Sequence, residues 1–424
     1  MRTLYCLLTQ IATVLLWIAH PFSKKLKTFV LGRKDVFTQL ERAISTNDKT
    51  IWFHCASLGE FEQAVPIIKA TKKLFKNHKI IISFFSPSGY EIKKNSDIAD
   101  SIVYLPLDTL SNAKKFIKLA HPSLAIFVKY EFWPNYLFEL KKNKIPTILV
   151  SGLFRANQSF FKPYGAFMRR ALLSFDHFFV QDLNSQELLK KINIVNTTIS
   201  GDTRFDRVSH QIEQDNTLDF MDVFTENSTC IVCGSTWPED ETILLDGINS
   251  SAGDVKYVVA PHKMDANKLE AFRSKINKPT VQYSELFTAT GVLKEDTLKE
   301  AKVCIIDTIG LLTKIYSYAD IAYVGGAAGH TGLHNILEPA TFGVPILIGK
   351  HFEKFPEAKK LQQLAGLYSV SSGEEYTQVI RKLILDTGFR SKTGMIAGHF
   401  INSNTGATNK IMDYLEKLHS DGVV

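Results

Sequence analysis

From residue 51 onward the chain keeps changing its hydrophobic period. Short runs of β-branched and aromatic residues alternate with stretches of helical spacing, and the series occurs twice. Parallel strands need a crossover between them, usually a helix, so this alternation predicts parallel sheets with helices on both faces. The first series is "IWFHC", "KIIISFF", "SIVYL", "SLAIFV", "PTILVSG" and "DHFFVQ". The second is "CIVCG", "KYVVA", "KVCIID", "IAYVGG", "VPILIG" and "GLYSV", followed by a helical tail from about residue 373. Between them, residues 206–229 turn polar and acidic with weak periodicity and read as a linker. A chain of 424 residues is too long for one ordinary core. The expected class is therefore α/β, with two Rossmann-like domains facing across a cleft, where ligands commonly bind. The expected boundaries are 1–20 for an N-terminal hydrophobic segment, 21–210 and 211–400 for the two domains, and 401–424 for a C-terminal helix.

The segment "MRTLYCLLTQIATVLLWIAH" is apolar from Thr3 to Ala19, at the short end of what crosses a bilayer. Lys24, Lys25, Lys27, Arg33 and Lys34 follow it, which places the body on the cytoplasmic side of a membrane. A membrane-anchor helix is the preferred reading. A cleaved signal peptide fits "WIAHPF" poorly, and a buried amphipathic helix is the third alternative, because Thr9, Gln10 and Thr13 interrupt the run. With 45% hydrophobic and 22% charged residues the rest is a folded, core-rich chain. A net charge of +7 suits an acidic partner, but no dense Lys/Arg stripe interleaved with aromatics points to nucleic acid. Cys230 and Cys233 have the CxxC spacing, yet they sit in a strand-like run where positions three apart face opposite ways. Buried free thiols are expected there, not a metal site.

Chemistry is expected at the turns that follow strands, because ligands of open α/β sheets sit outside the carboxyl ends of the strands. In the first half, "ASLGEFEQ" places Glu60 one turn into a helix that follows a strand. "FSPSGYE" is a second such turn, and "FVKYEFWPN" carries Glu131 directly after a third strand. "SGDTRFDRV" brings Arg204 and Asp206 to the end of that half. The bland account of Glu60 is complementation of the helix dipole. In the second half the densest signal is "YVGGAAGHTGLHNILEPATFGVPILIG": glycines after a strand, then a helix expected from about Asn335, with Glu338 placed to accept from ribose hydroxyls. "DTIGLL" presents Asp307 and Thr308 as a capping pattern before exposed N–H groups at Ile309, Gly310 and Leu311. "CGSTWPEDE" offers Ser235 and Thr236, and "APHKMD" offers His262 and Lys263. His330 and His334 are four apart, but Gly329 and Gly332 argue against the helix a metal pair would need. The stretch from Leu153 to Phe175 mixes Phe154, Phe160, Phe161, Phe167 and Met168 with Arg155, Lys162, Arg169 and Arg170. It fits a phospholipid surface and an ordinary buried aromatic face equally well.

Taken together, "ASLGEFEQAVPII", "SPSGYE", "YLPLD", "EFWPN", "GDTRFD", "DTIGLL" and "YVGGAAGHTGLHNILEPATFGVP", in that order along nearly the whole chain, resemble the 3-deoxy-D-manno-octulosonic acid (Kdo) transferase family. The resemblance implies the GT-B glycosyltransferase architecture with an N-terminal hydrophobic membrane-anchor helix. It also implies inverting transfer of Kdo from CMP-Kdo to a lipid A precursor at the cytoplasmic face of the inner membrane. By the same resemblance Glu60 is the proton acceptor, and Glu131 and Arg204 stabilise the transition state. The CMP contacts it implies are Pro261, His262, Ile309, Gly310, Leu311, Asn335, Ile336, Leu337 and Glu338, and Ser235 and Thr236, read from their own turn, complete the expected donor contacts. The acceptor contacts are Ser57, Gly59, Ser86 and Ser88. The implied partners are CMP-Kdo, the lipid A precursor and the inner-membrane lipid surface, with no nucleic acid. No cofactor is expected, and no metal, since no DxD-type carboxylate pair stands at a strand end in the second half. Two other readings stay open: a GT-B transferase or sugar-nucleotide epimerase using a UDP-sugar, and a non-catalytic nucleotide-sugar binding protein.

Overall fold

The computed structural model describes all residues, 1–424. The chain divides into two compact units: Met1–Arg207 with Asn404–Val424, and Val208–Ser403. Both are α/β units built on parallel sheets, a GT-B-like architecture.

The sheet of the first unit contains β1 (Lys49–Cys55), β2 (His78–Phe84), β3 (Ser101–Tyr104), β4 (Pro122–Val128), β5 (Thr147–Gly152), β6 (His177–Val180) and β7 (Thr197–Ile199). Their order is β3-β2-β1-β4-β5-β6-β7, and every pairing is parallel. Along β1 the side chains alternate between two cores. Ile51, Phe53 and Cys55 join one, together with Ile411, Met412 and Leu415 of the C-terminal helix Ala407–Ser420. Trp52 joins the other, with Phe116, Phe127 and Tyr136. Both faces are thus covered, which is why β1 reads as a nearly continuous apolar run. The strand order reverses direction between β1 and β4, so the carboxyl ends of these two strands flank the switch point where open sheets bind ligands.

The second unit contains β8 (Thr229–Thr236), β9 (Val255–Pro261), β10 (Thr280–Gln282), β11 (Val303–Ile305), β12 (Ile321–Val324), β13 (Ile346–Gly349) and β14 (Leu367–Val370). The order β10-β11-β9-β8-β12-β13-β14 is again wholly parallel, with its switch point between β8 and β12. Cys230 and Cys233 of β8 are buried in different cores, one on each face of the sheet, as the spacing predicts. The expected linker is different in structure: it holds the helix Asp219–Thr225, whose Phe220, Met221 and Phe224 are buried in the second unit. Three apolar side chains at i, i+1 and i+4 were too few for a periodicity signal amid the surrounding acids.

One helical stretch, Arg2–Phe22, made of the α-helix Arg2–Ala19 and the turn that follows it, is long and apolar enough to cross a membrane, and it is the weak signal for membrane association in this chain. The aromatic stretch resolves mainly toward the core: Phe154 and Phe160 are buried against Phe132, and Arg169 donates to the carbonyls of Phe160 and Lys162. Those two rings therefore do not form a lipid-facing surface.

Candidate functional site

At the switch point of the first unit, the turn after β1 caps the helix Leu58–Leu74. Ser57 is its N-cap and Glu60 stands three residues on, the spacing of a capping box. The box does not form in the usual way, because the Ser57 hydroxyl donates to the Glu60 carboxylate and not to the backbone. Glu60 is half-buried at the carboxyl edge of the sheet. The turn after β2 lies beside it: the N–H groups of Phe85 and Ser86 both donate to the Ala56 carbonyl, at 3.2 and 2.7 Å. Ser86 and Ser88 share a hydroxyl hydrogen bond of 2.8 Å. The predicted acceptor residues Ser57, Gly59, Ser86 and Ser88 therefore occupy two adjoining turns.

Glu131, after β4, sits in a polar network that sequence reading missed. Trp52 Nε1 donates to Ser83 Oγ at 2.8 Å, and Ser83 Oγ lies 2.8 Å from His54 Nδ1. His54 Nε2 is 3.2 Å from Glu131 Oε2, and Trp133 Nε1 donates to the same oxygen at 2.7 Å. The assignment that satisfies every group has Ser83 donating to Nδ1 and Nε2–H donating to Glu131, so all donors run toward the carboxylate. His54 is fully buried, while the Glu131 side chain retains 13% exposure. The signal was available: His54 follows Trp52 on one face of β1 as that face's last residue. A polar side chain ending an apolar strand at its carboxyl edge is placed for a ligand.

The two carboxylates share a neighbourhood. Burial, and then Glu60 and Glu131 together, push the Cys55 thiol well above its ordinary range. Arg204 belongs to the same edge. Burial raises the Tyr130 hydroxyl, with Arg155, Glu60, Arg204 and Asp202 all acting on it. Arg204 makes a fork to Asp202, with Nε and a terminal nitrogen each at 2.8 Å from Oδ2, and Asp202 accepts from Gln63 at 3.1 Å. Lys129 and Ser151, at the ends of β4 and β5, adopt positive φ of 69° and 52°. Non-glycine residues in that region concentrate where the backbone serves a site.

In the second unit the predicted donor residues also converge on the carboxyl edge. The His262 N–H donates to the Thr236 carbonyl at 2.9 Å, joining the ends of β8 and β9. Trp237, His262 and His334 form a stack of rings, with Trp237 and His262 centroids 4.8 Å apart and His262 and His334 4.4 Å apart. Trp237 Nε1 donates to His334 Nε2 at 3.0 Å. Burial and His262 lower the His334 imidazole to about 4, so it is neutral and carries its proton on Nδ1. Glu338 accepts from Asn335 at 3.0 Å and from Thr313 at 3.3 Å, and Thr313 lies just past the Ile309–Leu311 turn. Ile309 is 88% exposed, and Gly310 has φ of 98°, a conformation open to glycine.

Several details differ from expectation. The helix expected from Asn335 begins at Leu337 and has only five residues, with Asn335 Oδ1 accepting from the Leu337 N–H at 3.2 Å. Asp307 does not cap the following helix; it accepts from the Ser284 N–H at 3.0 Å and from the Ser284 hydroxyl. Thr236 is buried, with its hydroxyl directed to Glu241 at 3.3 Å, and Pro261, Ile336 and Leu337 are buried too. These four can offer a ligand backbone groups only. The residue that organises the edge is Asp240, whose Oδ2 accepts from the N–H groups of Trp237 (2.9 Å) and Gly326 (2.8 Å). Its Oδ1 accepts from the Tyr323 hydroxyl (2.8 Å) and the Ala328 N–H (3.2 Å). Gly325 has no room for a side chain, since a Cβ there would meet the Ser235 carbonyl oxygen at 2.4 Å.

The family model of 3-deoxy-D-manno-octulosonic-acid transferase (kdotransferase) matches residues 32–207. The 3-deoxy-D-manno-octulosonic acid transferase of Aquifex aeolicus is 26% identical over 338 residues, covering 78% of this chain and 84% of that one. A GT-B glycosyltransferase domain related to the Kdo-transferase family is present. A bifunctional glycosyltransferase/methyltransferase of Fusobacterium nucleatum is 27% identical over 393 residues, 90% of this chain, which spans 59% of that relative's length. The crystal structure of UDP-GlcNAc 2-epimerase from Neisseria meningitidis bound to UDP-GlcNAc matches with a TM-score of 0.60 at 15% identity, covering 87% of this chain and 100% of that one. That likeness shows the fold alone. The matched segment 32–207 contains every predicted catalytic and acceptor-side residue.

Proposed function

We propose that this glycosyltransferase is an inverting enzyme that moves Kdo from CMP-Kdo to a lipid A precursor at the cytoplasmic face of the inner membrane. The observation that carries the reading is the placement of Glu60, Glu131 and Arg204 on one carboxyl edge of the first unit's sheet, in a segment that matches the Kdo-transferase family model. The acceptor hydroxyl attacks the anomeric carbon of Kdo. The bond from that carbon to the CMP phosphate oxygen breaks, and the electron pair leaves with the phosphate. Glu60 takes the hydroxyl proton, a contribution of about 10²–10⁴-fold for a positioned base. The Ser57 hydroxyl orients that carboxylate. Glu131, fixed by His54 and Trp133, and Arg204, fixed by Asp202, provide charge for the transition state. Ser57, Gly59, Ser86 and Ser88 line the acceptor side.

The second unit holds the donor. Peptide N–H groups of the glycine-rich loop and of the Ile309–Leu311 turn face the phosphate, Ser235 and His262 flank it, and Glu338 accepts from the ribose. Trp237, stacked on His262, supplies a flat surface for the base. A UDP-sugar transferase or epimerase is the second reading, favoured by the shared fold with UDP-GlcNAc 2-epimerase.

One experiment tests the proposal. Purified protein is incubated with CMP-Kdo and a tetra-acylated lipid A precursor, and the lipid product is weighed by mass spectrometry. Addition of Kdo residues is expected. An unchanged lipid, with turnover of UDP-sugars in a parallel donor panel, would transfer support to the second reading. Tight CMP-Kdo binding with no transfer would leave a binding protein.

A further inference from the structure

The N-terminal helix Arg2–Ala19 has two opposite faces. At 100° per residue, Tyr5, Cys6, Thr9, Thr13, Leu16 and His20 fall within an arc of about 100°. All six are half-buried. Leu4, Leu7, Leu8, Ile11, Val14, Leu15 and Ile18 fall in the opposite arc of about 120°. Each of them is exposed, between 46% and 59%.

The inward face is tied to the first unit at the very start of the helix. Arg2 pairs with Glu139 at 3.5 Å and lies over the Phe138 ring at 5.0 Å. The Tyr5 hydroxyl donates to Asp108 at 2.7 Å, and Cys6 Sγ lies 3.4 Å from Asn135. The chain returns to the same unit at Arg33, which donates to the carbonyls of Leu105 (2.9 Å) and Phe85 (2.5 Å). Residues 7–32 therefore form a loop fixed to one unit at both ends. Between Cys6 and His20 about 13 residues remain, roughly 20 Å at 1.5 Å each. A hydrocarbon core is about 30 Å thick. A crossing helix would also have to carry Arg2 to the far side and abandon every contact it makes.

The geometry points to an in-plane helix: Arg2–Ala19 stays docked on the first unit and sinks its outward apolar stripe into one leaflet of an anionic phospholipid membrane, without crossing it. The occupant is argued from charge as well as shape. Lys24, Lys25 and Lys27 stand exposed past one end of the stripe. At the other end a cavity of about 620 Å³ is lined by Arg2, Lys141, Lys142 and Arg170 together with Phe138 and Phe167. An apolar stripe with cations at both ends fits acyl chains below and anionic headgroups around it. Thr9 and Thr13 donate to carbonyls of their own helix, at 2.9 and 2.7 Å, so their hydroxyls need no water.

The inference rests on the membrane half of the proposed function and not on its sugar chemistry. Its readouts use no donor, so its failure would leave the transfer assay unaffected. The full chain is prepared with Cys6→Ser and either Thr3→Cys or, as a control on the body, Ser420→Cys; the other four cysteines are buried. In inverted membrane vesicles an impermeant maleimide should label both positions to within about twofold. Protection of Thr3→Cys until detergent opens the vesicles would overturn the in-plane geometry. Purified protein should float with phosphatidylcholine vesicles containing one third phosphatidylglycerol at least about fivefold more than with phosphatidylcholine alone. Leu8→Glu with Leu15→Glu, both on the outward stripe, should abolish flotation without changing the melting temperature. Equal flotation on both lipids would overturn the anionic part of the proposal, and no flotation on either, or flotation that survives the double variant, would remove the leaflet as the occupant of the stripe.

Discussion

Asp240 offers the sharpest test of how the second unit builds its edge. Four donors converge on its two oxygens, three of them backbone N–H groups that have no other place to turn. Each hydrogen bond to a charged group contributes about 1.5–3 kcal/mol. In Asp240→Asn the amide can put its oxygen where Oδ2 stands and keep Trp237 and Gly326. Its NH₂ then meets the Tyr323 hydroxyl, which can rotate to accept, and the Ala328 N–H, which cannot. One bond is lost and the others lose their charge, while relief of a buried charge offsets part of this; burial is the main cause of the raised Asp240 carboxyl. The net cost works out at about 2 kcal/mol. Asp240→Ala strands all three N–H groups and should cost about 4–6 kcal/mol.

For a unit of this size those costs correspond to melting shifts of about 4–8 °C and about 10–20 °C. The assay is differential scanning fluorimetry of the full chain, with CMP binding followed by calorimetry. Gly326 and Ala328 belong to the proposed phosphate loop, so CMP affinity should fall in the same order, Asn before Ala. Two results would refute the argument. One is an alanine variant no less stable than the asparagine variant. The other is normal CMP affinity in a folded alanine variant, which would show that the loop does not hold the nucleotide.

Three further outcomes are expected. Glu60→Gln should leave the melting temperature and CMP-Kdo binding unchanged while transfer falls at least about a hundredfold, as for loss of a general base; near-normal turnover would remove Glu60 from the chemistry. His54→Phe keeps the ring but deprives Glu131 of a donor, so kcat should fall about 10–100-fold with KM for both substrates nearly constant, and His54→Gln should recover part of it. A change confined to KM would mean that His54 shapes binding alone. Burial pushes the Asp108 carboxyl up to about 6 from an ordinary 3.8. A raised carboxyl favours the fold fully below its unfolded value near 4, and that contribution is lost as pH rises through about 6. Asp108→Asn, uncharged throughout, should thus gain on the wild type by about 2 kcal/mol between pH 4.5 and 7. Melting curves of the two that stay parallel with pH would contradict this.

The two strands that sequence reading did not find share one physical feature. β1, β4, β8 and β9 are flanked on both sides and buried on both faces, so each is a dense apolar run that no helix of that length would need. β7 and β10 are three-residue edge strands, half-buried at most positions, and Thr197–Ile199 and Thr280–Gln282 carry almost no apolar signal. Edge strands are often kept short and polar to discourage pairing with another chain, and in these two that property hides them from a periodicity search, whereas the more apolar edge strands β3 and β14 were legible. The site divides along a similar line. Glu60, Glu131 and the glycine-rich loop were legible because they break an apolar pattern at a strand end. His54 and Asp240 were not singled out, because each looks local. One ends an apolar strand like a residue left over, and the other follows Pro238 in an ordinary helix start. Their work is done by atoms far along the chain: Glu131 is 77 residues from His54, and Gly326 is 86 residues from Asp240. Residues proposed to touch a ligand leave a mark in their own turn, whereas residues that would position them are marked only by the topology that brings two strand ends together. A search for such residues should therefore begin from buried polar side chains at the carboxyl ends of the strands that flank each switch point. In this protein that rule selects His54 on β1 and Thr236 on β8, with Asp240 one helical turn beyond the latter.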